Sequence, residues 1–202
     1  MSIDQKQAWD KKYDSQGILW AREHDDWFEV GEGSSVLDVG SGSGKSSRSL
    51  GGEVVAVDFS RNALRLASRV QPDRSLICAD VRALPFSDSA FDLVRASFVI
   101  DHLHASEHAS AISEIERVLK KGGMLAFECF SKSDARFTSK EIDSHGDYID
   151  GDGILHHNFD RREIETLLSS LFIERLDETI WEQRIGSGET MRRSAYRVLA
   201  QK

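Results

Sequence analysis

The chain has few cysteines and no long apolar run. Its 202 residues include only two cysteines, Cys78 and Cys129, which form no metal-binding spacing. Both fall on strands that the sequence predicts to be buried, so we expect them to stay reduced. No stretch of about 18 apolar residues predicts a membrane-spanning helix, and the first six residues lack the apolar run of a signal peptide. These absences predict a cytoplasmic protein.

The chain is also poor in positive charge. It carries 26 Lys and Arg against 34 Asp and Glu, a net charge of −8. Binding to a long phosphate backbone normally requires a basic face, so nucleic acid is an unlikely partner. The one basic cluster, defined by Arg184, Arg192, Arg193 and Arg197, is interpreted as a solvated strand edge that charge protects from aggregation. There are no repeats, and the length fits one domain with a full core.

Glycine, by contrast, is concentrated where the first predicted strand ends. Residues 36–39 are mostly apolar but include Asp38, and glycines follow at positions 40, 42 and 44. Glycine lets the backbone turn sharply and approach a ligand without a Cβ, which indicates a nucleotide-binding turn. A P-loop would need glycine at Val39, and a dinucleotide fingerprint would need it at Lys45. The pattern that remains is acidic-x-G-x-G-x-G, which alone also fits a tight turn without a ligand.

Two further predicted strands end in an acid. Residues 54–57 form a β-branched run typical of a buried parallel strand, and Asp58 follows it. A carboxylate there can accept hydrogen bonds from both ribose hydroxyls of a nucleotide. The alternative role, capping the next helix, suits Ser60 better. Residues 76–79 repeat the pattern and end at Asp80.

Together these motifs resemble the class I S-adenosylmethionine (SAM) dependent methyltransferases. Residues 84–92 are similar to that family's loop into the fourth strand, and residues 116–123 to its approach to the fifth. The resemblance implies SAM as cofactor and S-adenosylhomocysteine as product, with Asp58 on the ribose, Asp80 on the adenine amino group and the Val81 amide on the ring. The implied cofactor-binding residues are Tyr13, Asp38, Gly40, Ser41, Gly42, Gly44, Asp58, Phe59, Asp80, Val81 and Ser97.

The resemblance also implies the fold. We expect a doubly wound, Rossmann-like α/β fold with a seven-stranded, mostly parallel sheet, an antiparallel terminal strand and helices on both faces. An apolar helical stripe over residues 112–119 is predicted to end at Gly122 and Gly123, before a fifth strand at 124–129. Residues 172–181 and 195–200 are expected to form a terminal hairpin. The predicted single domain, 1–202, divides into an N-terminal helical cover (1–33), a SAM-binding core (34–130), a substrate loop (131–159) and a C-terminal helix and hairpin (160–202).

The two outer segments are expected to form the acceptor side. The first contains aromatic residues that resemble a helical lid over SAM, although they equally fit an anchor for the helix: Trp9, Tyr13, Trp20, Trp27 and Phe28. The substrate loop is polar and too long for a simple connection, which predicts a binding loop.

Histidines supply the candidate proton acceptors. His102, His104, His156 and His157 are expected at the carboxyl edge of the sheet, where open α/β sheets bind ligands. Imidazole titrates near neutral pH, so His102 and His157 are the candidate general bases; the alternative is a structural role in supporting the loops. Asp101 is a candidate partner that would fix the tautomer of His102.

The implied reaction is direct displacement, in which the enzyme holds the methyl donor and the acceptor in line. We expect transfer to an O, N or S atom of a small, neutral or cationic molecule. Methylation of a protein or a tRNA nucleoside, or a non-catalytic SAM-binding regulatory role, are the alternatives. No metal is expected, because ligand spacings such as H-E-x-x-H are missing. The sequence does not determine the oligomeric state.

Overall fold

The computed structural model describes residues 4–18, 27–44, 48, 50–138, 140–184 and 188–202. A seven-stranded sheet organises these residues, with the strand order β3-β2-β1-β4-β5-β9-β8. Its strands are β1 (Ser35–Val39), β2 (Glu53–Asp58), β3 (Ser75–Cys78), β4 (Phe91–Ser97), β5 (Leu119–Phe130), β8 (Phe172–Arg184) and β9 (Thr190–Gln201). A separate two-stranded sheet pairs β6 (Asp147–Ile149) with β7 (Leu155–His157).

Strand directions match the predicted fold. β1 pairs in parallel with both β2 and β4, and β4 pairs in parallel with β5. β9 runs antiparallel to its two neighbours, β5 and β8. The chain order reverses between β1 and β4, and open α/β sheets bind ligands at such a switch point, beyond the carboxyl ends of the strands. The expected Rossmann-like α/β architecture is confirmed.

Both faces of the central strands are buried, which explains their nearly continuous apolar sequences. In β1, Leu37 belongs to a large core cluster with Phe127 and Ile115, whereas the adjacent Val36 belongs to a second cluster with Phe28. Neighbouring residues on a strand point to opposite faces, so the two clusters lie on opposite sides of the sheet. Each face therefore has its own hydrophobic core.

Four α-helices accompany the sheet in the described chain: α1 (Gln5–Gln16), α2 (Arg61–Val70), α3 (His108–Val118) and α4 (Arg161–Leu167). Ser60 caps α2 through a hydrogen bond from the Ala63 amide, and Asp160 caps α4 in a capping box with Glu163, as the sequence predicts. Two 3₁₀ helices, Ile100–His102 and Ala105–Glu107, follow β4. No helix among the described residues is long and apolar enough to cross a membrane.

Two local predictions were wrong. The third helix ends at Val118 rather than at Gly122, because Leu119 already pairs with Phe91 and β5 continues through both glycines. Cys129 is buried as expected, but Cys78 is exposed, because β3 lies at the edge of the sheet.

The predicted substrate loop has more structure than expected. Its two ends are joined by a bridge between Ser131 and Phe159, and the Asn158 side-chain amide donates to the Ser131 carbonyl at 2.7 Å. Within it, β6 and β7 form a short hairpin. The segment therefore leaves and re-enters the domain at nearly the same point.

Candidate functional site

The carboxyl edge of the sheet borders a cavity of about 620 Å³, a size typical of small-molecule sites. Another concavity, of about 710 Å³, lies at the opposite edge near Ser35 and Gly52; we assign the site to the carboxyl edge, where doubly wound sheets bind ligands. Nine of the eleven cofactor-binding residues implied by the resemblance line this cavity: Tyr13, Gly40, Ser41, Gly42, Asp58, Phe59, Asp80, Val81 and Ser97. Asp38 and Gly44 do not.

The glycine loop needs its glycines for two reasons. Gly40 and Gly42 have φ values of 66° and 56°, a left-handed backbone that favours glycine. Both positions are also crowded: a Cβ on Gly42 would lie 2.6 Å from the Tyr13 hydroxyl oxygen, and one on Gly40 would collide with the Val99 side chain. The loop therefore exposes backbone to the cavity where any side chain would fill it.

Asp58, at the end of β2, stabilises this loop through hydrogen bonds. Its Oδ2 accepts a hydrogen bond from the Gly42 amide and its Oδ1 one from the Ser60 amide, both at 2.8 Å. Burial raises the pKa of Asp58 to about 6, against the opposing effect of these two hydrogen bonds. Burial, together with the charge of Asp58, also raises the pKa of Tyr13. Each carboxylate oxygen has a second lone pair, so Asp58 retains acceptor capacity for a ligand.

The two residues outside the cavity lining support the loop. Asp38 is buried and forms an ion pair with Arg95 on β4, with 3.6 Å between Oδ1 and Nη1. A Cβ on Gly44 would lie 3.1 Å from the Ala67 Cβ, so this glycine lets the loop pack closely on α2. Direct ligand contacts predicted for these two residues are not supported by their positions. Lys45 lies outside the described residues.

Asp80 is held by an arginine that the sequence analysis overlooked. The Arg82 amide and Nε both donate to Asp80 Oδ1 at 2.9 Å, and the same guanidinium pairs with Glu107. Burial raises the pKa of Asp80, but the hydrogen bonds from Arg82 outweigh it and the net shift is downward. Asp80 is therefore ionised at neutral pH, and both Arg82 and Glu107 line the cavity.

Part of the predicted N-terminal cover lies over the cavity. Trp9 and Tyr13 of α1 are buried beside Ile154, and both line the cavity. Gln5 fastens the helix to the β6–β7 hairpin: its Nε2 donates to the Gly153 carbonyl and its Oε1 accepts from the Leu155 amide.

The other predicted cover aromatics do not lie over the cavity. Phe28 and Trp27 pack with Val36 on a sheet face, in the second core cluster, so for these two residues the structure fits the anchoring alternative and not the lid. Trp20 lies outside the described residues.

His102 is the one of the four predicted histidines that lines the cavity. Its Nδ1 is 2.8 Å from the Leu155 carbonyl oxygen. Because a carbonyl only accepts, Nδ1 carries the proton and Nε2 is left as an acceptor. Burial is the main reason that the pKa of His102 falls to about 3, which keeps the ring neutral. The expected tautomer partner, Asp101, is wrong: the Leu155 carbonyl takes that role.

His157, the second candidate base, does not line the cavity. It is buried, with Nδ1 at 2.8 Å from Oδ1 of Asp147, and its ring packs edge-on against His108. A buried ring held in this way supports the β6–β7 hairpin, so the position of His157 does not support the predicted role as a general base. His156 is similarly engaged by Asp150 at 3.0 Å, and His104 contacts the other oxygen of Asp147 at 3.2 Å.

The far wall of the cavity comes from the long β8–β9 hairpin. Arg193 is only 3% exposed, and its Nε donates to Asp134 Oδ2 at 2.6 Å. Arg197 donates from Nε to Oε1 of Glu128 at 3.0 Å. Arg184, Arg193, Arg197 and Glu128 all line the cavity. The interpretation of the basic cluster as a solvated edge was wrong for the buried Arg193 and for Arg197, which pairs with Glu128, whereas Arg184 is exposed on β8, the edge strand of the sheet. Glu128 was not predicted as a site residue, although its position near the carboxyl end of β5 was a usable signal.

Comparisons with known proteins agree with this geometry. Residues 37–127, a little under half of the chain, match the family model described as a methyltransferase domain. A demethylmenaquinone methyltransferase from Renibacterium salmoninarum is 42% identical over 102 residues, which cover 49% of this chain and 42% of that protein. A ubiquinone/menaquinone biosynthesis C-methyltransferase from Yersinia enterocolitica is 34% identical over 143 residues, covering 65% and 56%.

Among solved structures, a SAM-dependent methyltransferase from Methanosarcina mazei aligns with a TM-score of 0.69 and 24% identity, covering 86% of this chain and 94% of that chain. At that identity the likeness concerns the fold. The chain spans about half the length of the curated relatives that it matches.

Proposed function

We propose that this chain is a methyltransferase of the class I SAM-dependent type, which its match to a methyltransferase-domain model over residues 37–127 supports, and that it transfers a methyl group from SAM to a small-molecule acceptor. The observation that carries the proposal is the convergence of nine implied cofactor-binding residues on one cavity at the topological switch point. These residues come from the ends of four strands or their loops and from α1, so their convergence is a property of the fold.

The residues present fit SAM. The glycine loop leaves space at Gly40 and Gly42 that a Cβ would fill, and carboxylates lie at the ends of two neighbouring strands. Asp58 would accept from the ribose hydroxyls, and Asp80 from the adenine amino group beside the Val81 amide. SAM, when bound, supplies a methyl group activated by its sulfonium centre.

The protein's own contribution is positioning and exclusion of water. The α1 residues Trp9 and Tyr13 close the cavity on the side of the glycine loop, and the Gln5 contacts hold α1 against the β6–β7 hairpin. Holding two reactants in line removes much of the entropic barrier of a bimolecular displacement, so few chemical groups are required.

His102 would accept a hydrogen bond from the proton-bearing acceptor atom, and the proton would then pass to solvent. Its Nε2 is the unprotonated nitrogen and the ring lines the cavity. A neutral imidazole with a pKa of about 3 is a weak base, so it serves to hydrogen-bond the departing proton during transfer rather than to store it. The acceptor atom remains open among O, N and S, and the name of the Yersinia relative adds carbon.

Calorimetric titration tests the cofactor assignment. We expect SAM and S-adenosylhomocysteine to bind at micromolar Kd, and NAD and ATP to bind far more weakly because the loop has neither of their glycine spacings. Tight NAD or ATP binding would overturn the proposal. Formation of S-adenosylhomocysteine with an acceptor panel then separates an enzyme from a non-catalytic SAM-binding protein, and tRNA and protein substrates in that panel test the other alternative.

A further inference from the structure

The acceptor end of the cavity is built on an aromatic platform. Phe98 and Phe130 stack with ring centroids 4.4 Å apart and planes 29° from parallel, and both line the cavity together with Trp181. Phe98 has a φ of 54°, which is strained for a residue with a bulky side chain. Its amide donates to the Glu128 carbonyl at 2.8 Å, which holds it there. Such strain persists where surrounding structure imposes it and is common at ligand sites.

Arg193 is fixed over this platform. Its guanidinium carbon lies 4.7 Å from the centre of the Phe130 ring and 5.6 Å from that of Trp181. Asp134 accepts from Nε, Gln183 accepts from Nη1, and Nη2 has no hydrogen-bond partner among the described residues. A nearly fully buried guanidinium with an unused donor is a costly arrangement unless a ligand completes it.

Arg193 does not have Asp134 to itself. Asp134 is shared by two guanidiniums, since Oδ1 is also 3.5 Å from Nε of Arg136. Arg197 and Glu128 form a separate ion pair. The unused donor on Nη2 of Arg193 is therefore the feature at this end of the cavity that an anionic ligand group would complete.

We propose that the acceptor is a planar aromatic carboxylate, whose ring lies against Phe98 and Trp181, the partly exposed members of this platform, and whose carboxylate pairs with Arg193. This inference rests on the proposed function, because it concerns the acceptor end of the same cavity. It departs from the neutral or cationic acceptor that the sequence favoured: the chain is acidic overall, but the buried Arg193 of β9 lines this end and has an unused donor.

Two isosteric probes test the proposal. Binding of 3-hydroxybenzoate and of 3-hydroxybenzamide, which differ in charge but hardly in shape, is measured by calorimetry on protein saturated with S-adenosylhomocysteine. We expect the wild type to bind the carboxylate at least tenfold more tightly, as hydrogen bonding to a charged group requires. Arg193→Gln should erase the preference and Arg193→Lys should retain part of it. Arg192→Gln is the matched control, because Arg192 is the exposed neighbour on β9 that does not line the cavity.

Each result has a defined meaning. Equal binding of the two probes by the wild type would overturn the proposal even if Arg193→Gln failed to fold, and so would a preference that survives in a folded Arg193→Gln protein. Failure of S-adenosylhomocysteine itself to bind would instead overturn the proposed function. The two failures are therefore distinguishable in one set of titrations.

Discussion

The pH dependence of cofactor affinity follows from the environment of Asp58. Burial raises the pKa of this carboxyl to about 6, and the ionised form is the better acceptor for ribose hydroxyls. Between pH 7.5 and pH 5 the ionised fraction falls from about 97% to about 9%. Because the folded pKa lies above that of a free carboxyl, affinity should be fully present above about pH 7 and should decline as pH falls through 6.

Protonation of Asp58 should weaken ligand binding by about one order of magnitude at pH 5. If ligand binds only the ionised form, affinity at pH 5 is lower by about elevenfold, or about 1.4 kcal/mol, for a pKa of about 6. Asp58→Ala removes both the acceptor and its titration. We expect it to weaken binding by about 1.5–3 kcal/mol at pH 7.5, typical of hydrogen bonds to a charged group.

The assay is calorimetric titration with S-adenosylhomocysteine at pH 5, 6, 7 and 7.5, after circular dichroism has confirmed that each protein is folded. Asp58→Ala reports the pH dependence of everything except this carboxyl, and its affinity should be nearly flat over the range. Asp88→Ala is the matched control, since Asp88 is 78% exposed and does not line the cavity. Equal wild-type affinity at pH 5 and 7.5, or unchanged affinity in Asp58→Ala, would refute the ribose assignment.

Three further substitutions test other parts of the site. Gly42→Val should abolish S-adenosylhomocysteine binding in calorimetry while the far-ultraviolet spectrum stays native, because its Cβ would lie 2.6 Å from the Tyr13 hydroxyl; retained binding would contradict the need for this space. His102→Gln should leave that affinity within about twofold but slow methyl transfer, by less than the roughly 10²-fold typical of a general base whose pKa lies near the working pH, and unaltered turnover would remove its role as hydrogen-bond acceptor. His157→Ala should lower the free energy of unfolding in urea by about 3 kcal/mol, because Asp147 loses a buried partner. Turnover of the folded His157→Ala enzyme should not change, and slowed turnover would restore His157 as a catalytic candidate.

The glycine-loop side of the cavity was predictable, as far as the positions of its lining residues are concerned, because its determinants are local in the sequence. A buried parallel strand reads as a short β-branched run, and the residue after it necessarily lies at the carboxyl edge. Asp58 and Asp80 were found in this way. The glycine loop was recognised by spacing alone, since left-handed backbone and close approach both demand glycine at fixed positions.

The α3–β5 boundary was not predictable from local pattern. Gly122 and Gly123 follow an apolar helical stripe and are typical of a helix end. In the structure the Gly122 amide donates to the Lys202 carbonyl and the Lys202 amide donates to the Gly123 carbonyl. This pairing with the distant end of the chain extends β5 through both glycines. The residues near position 122 in the sequence do not indicate it.

The burial of Arg193 also depends on a residue that is distant in the sequence, so it was not predictable from the local pattern. Alternation along β9 and a neighbouring arginine favour a solvated edge, and only Asp134, 59 residues earlier in the chain, makes burial tolerable. The Asp134 turn belongs to the segment that the sequence analysis could define only as a long polar loop. Charged residues on a terminal hairpin therefore cannot be assigned to solvent until the loop that packs against them is known.

Two ion pairs within the sheet connect the glycine-loop side of the cavity with the side formed by β5 and β9. Asp38 on β1 pairs with Arg95 on β4, and Glu128 on β5 pairs with Arg197 on β9. Burial raises the pKa of Glu128, and Arg197 and then Arg95 oppose that shift, so the second pair is coupled to the first. Because these four side chains are fixed by strand register, their charges belong to the framework of the sheet. Arg193 depends in addition on Asp134 in the substrate loop, so acceptor preference should respond to substitutions on β5 and β9 and to Asp134, but little to changes elsewhere in that loop.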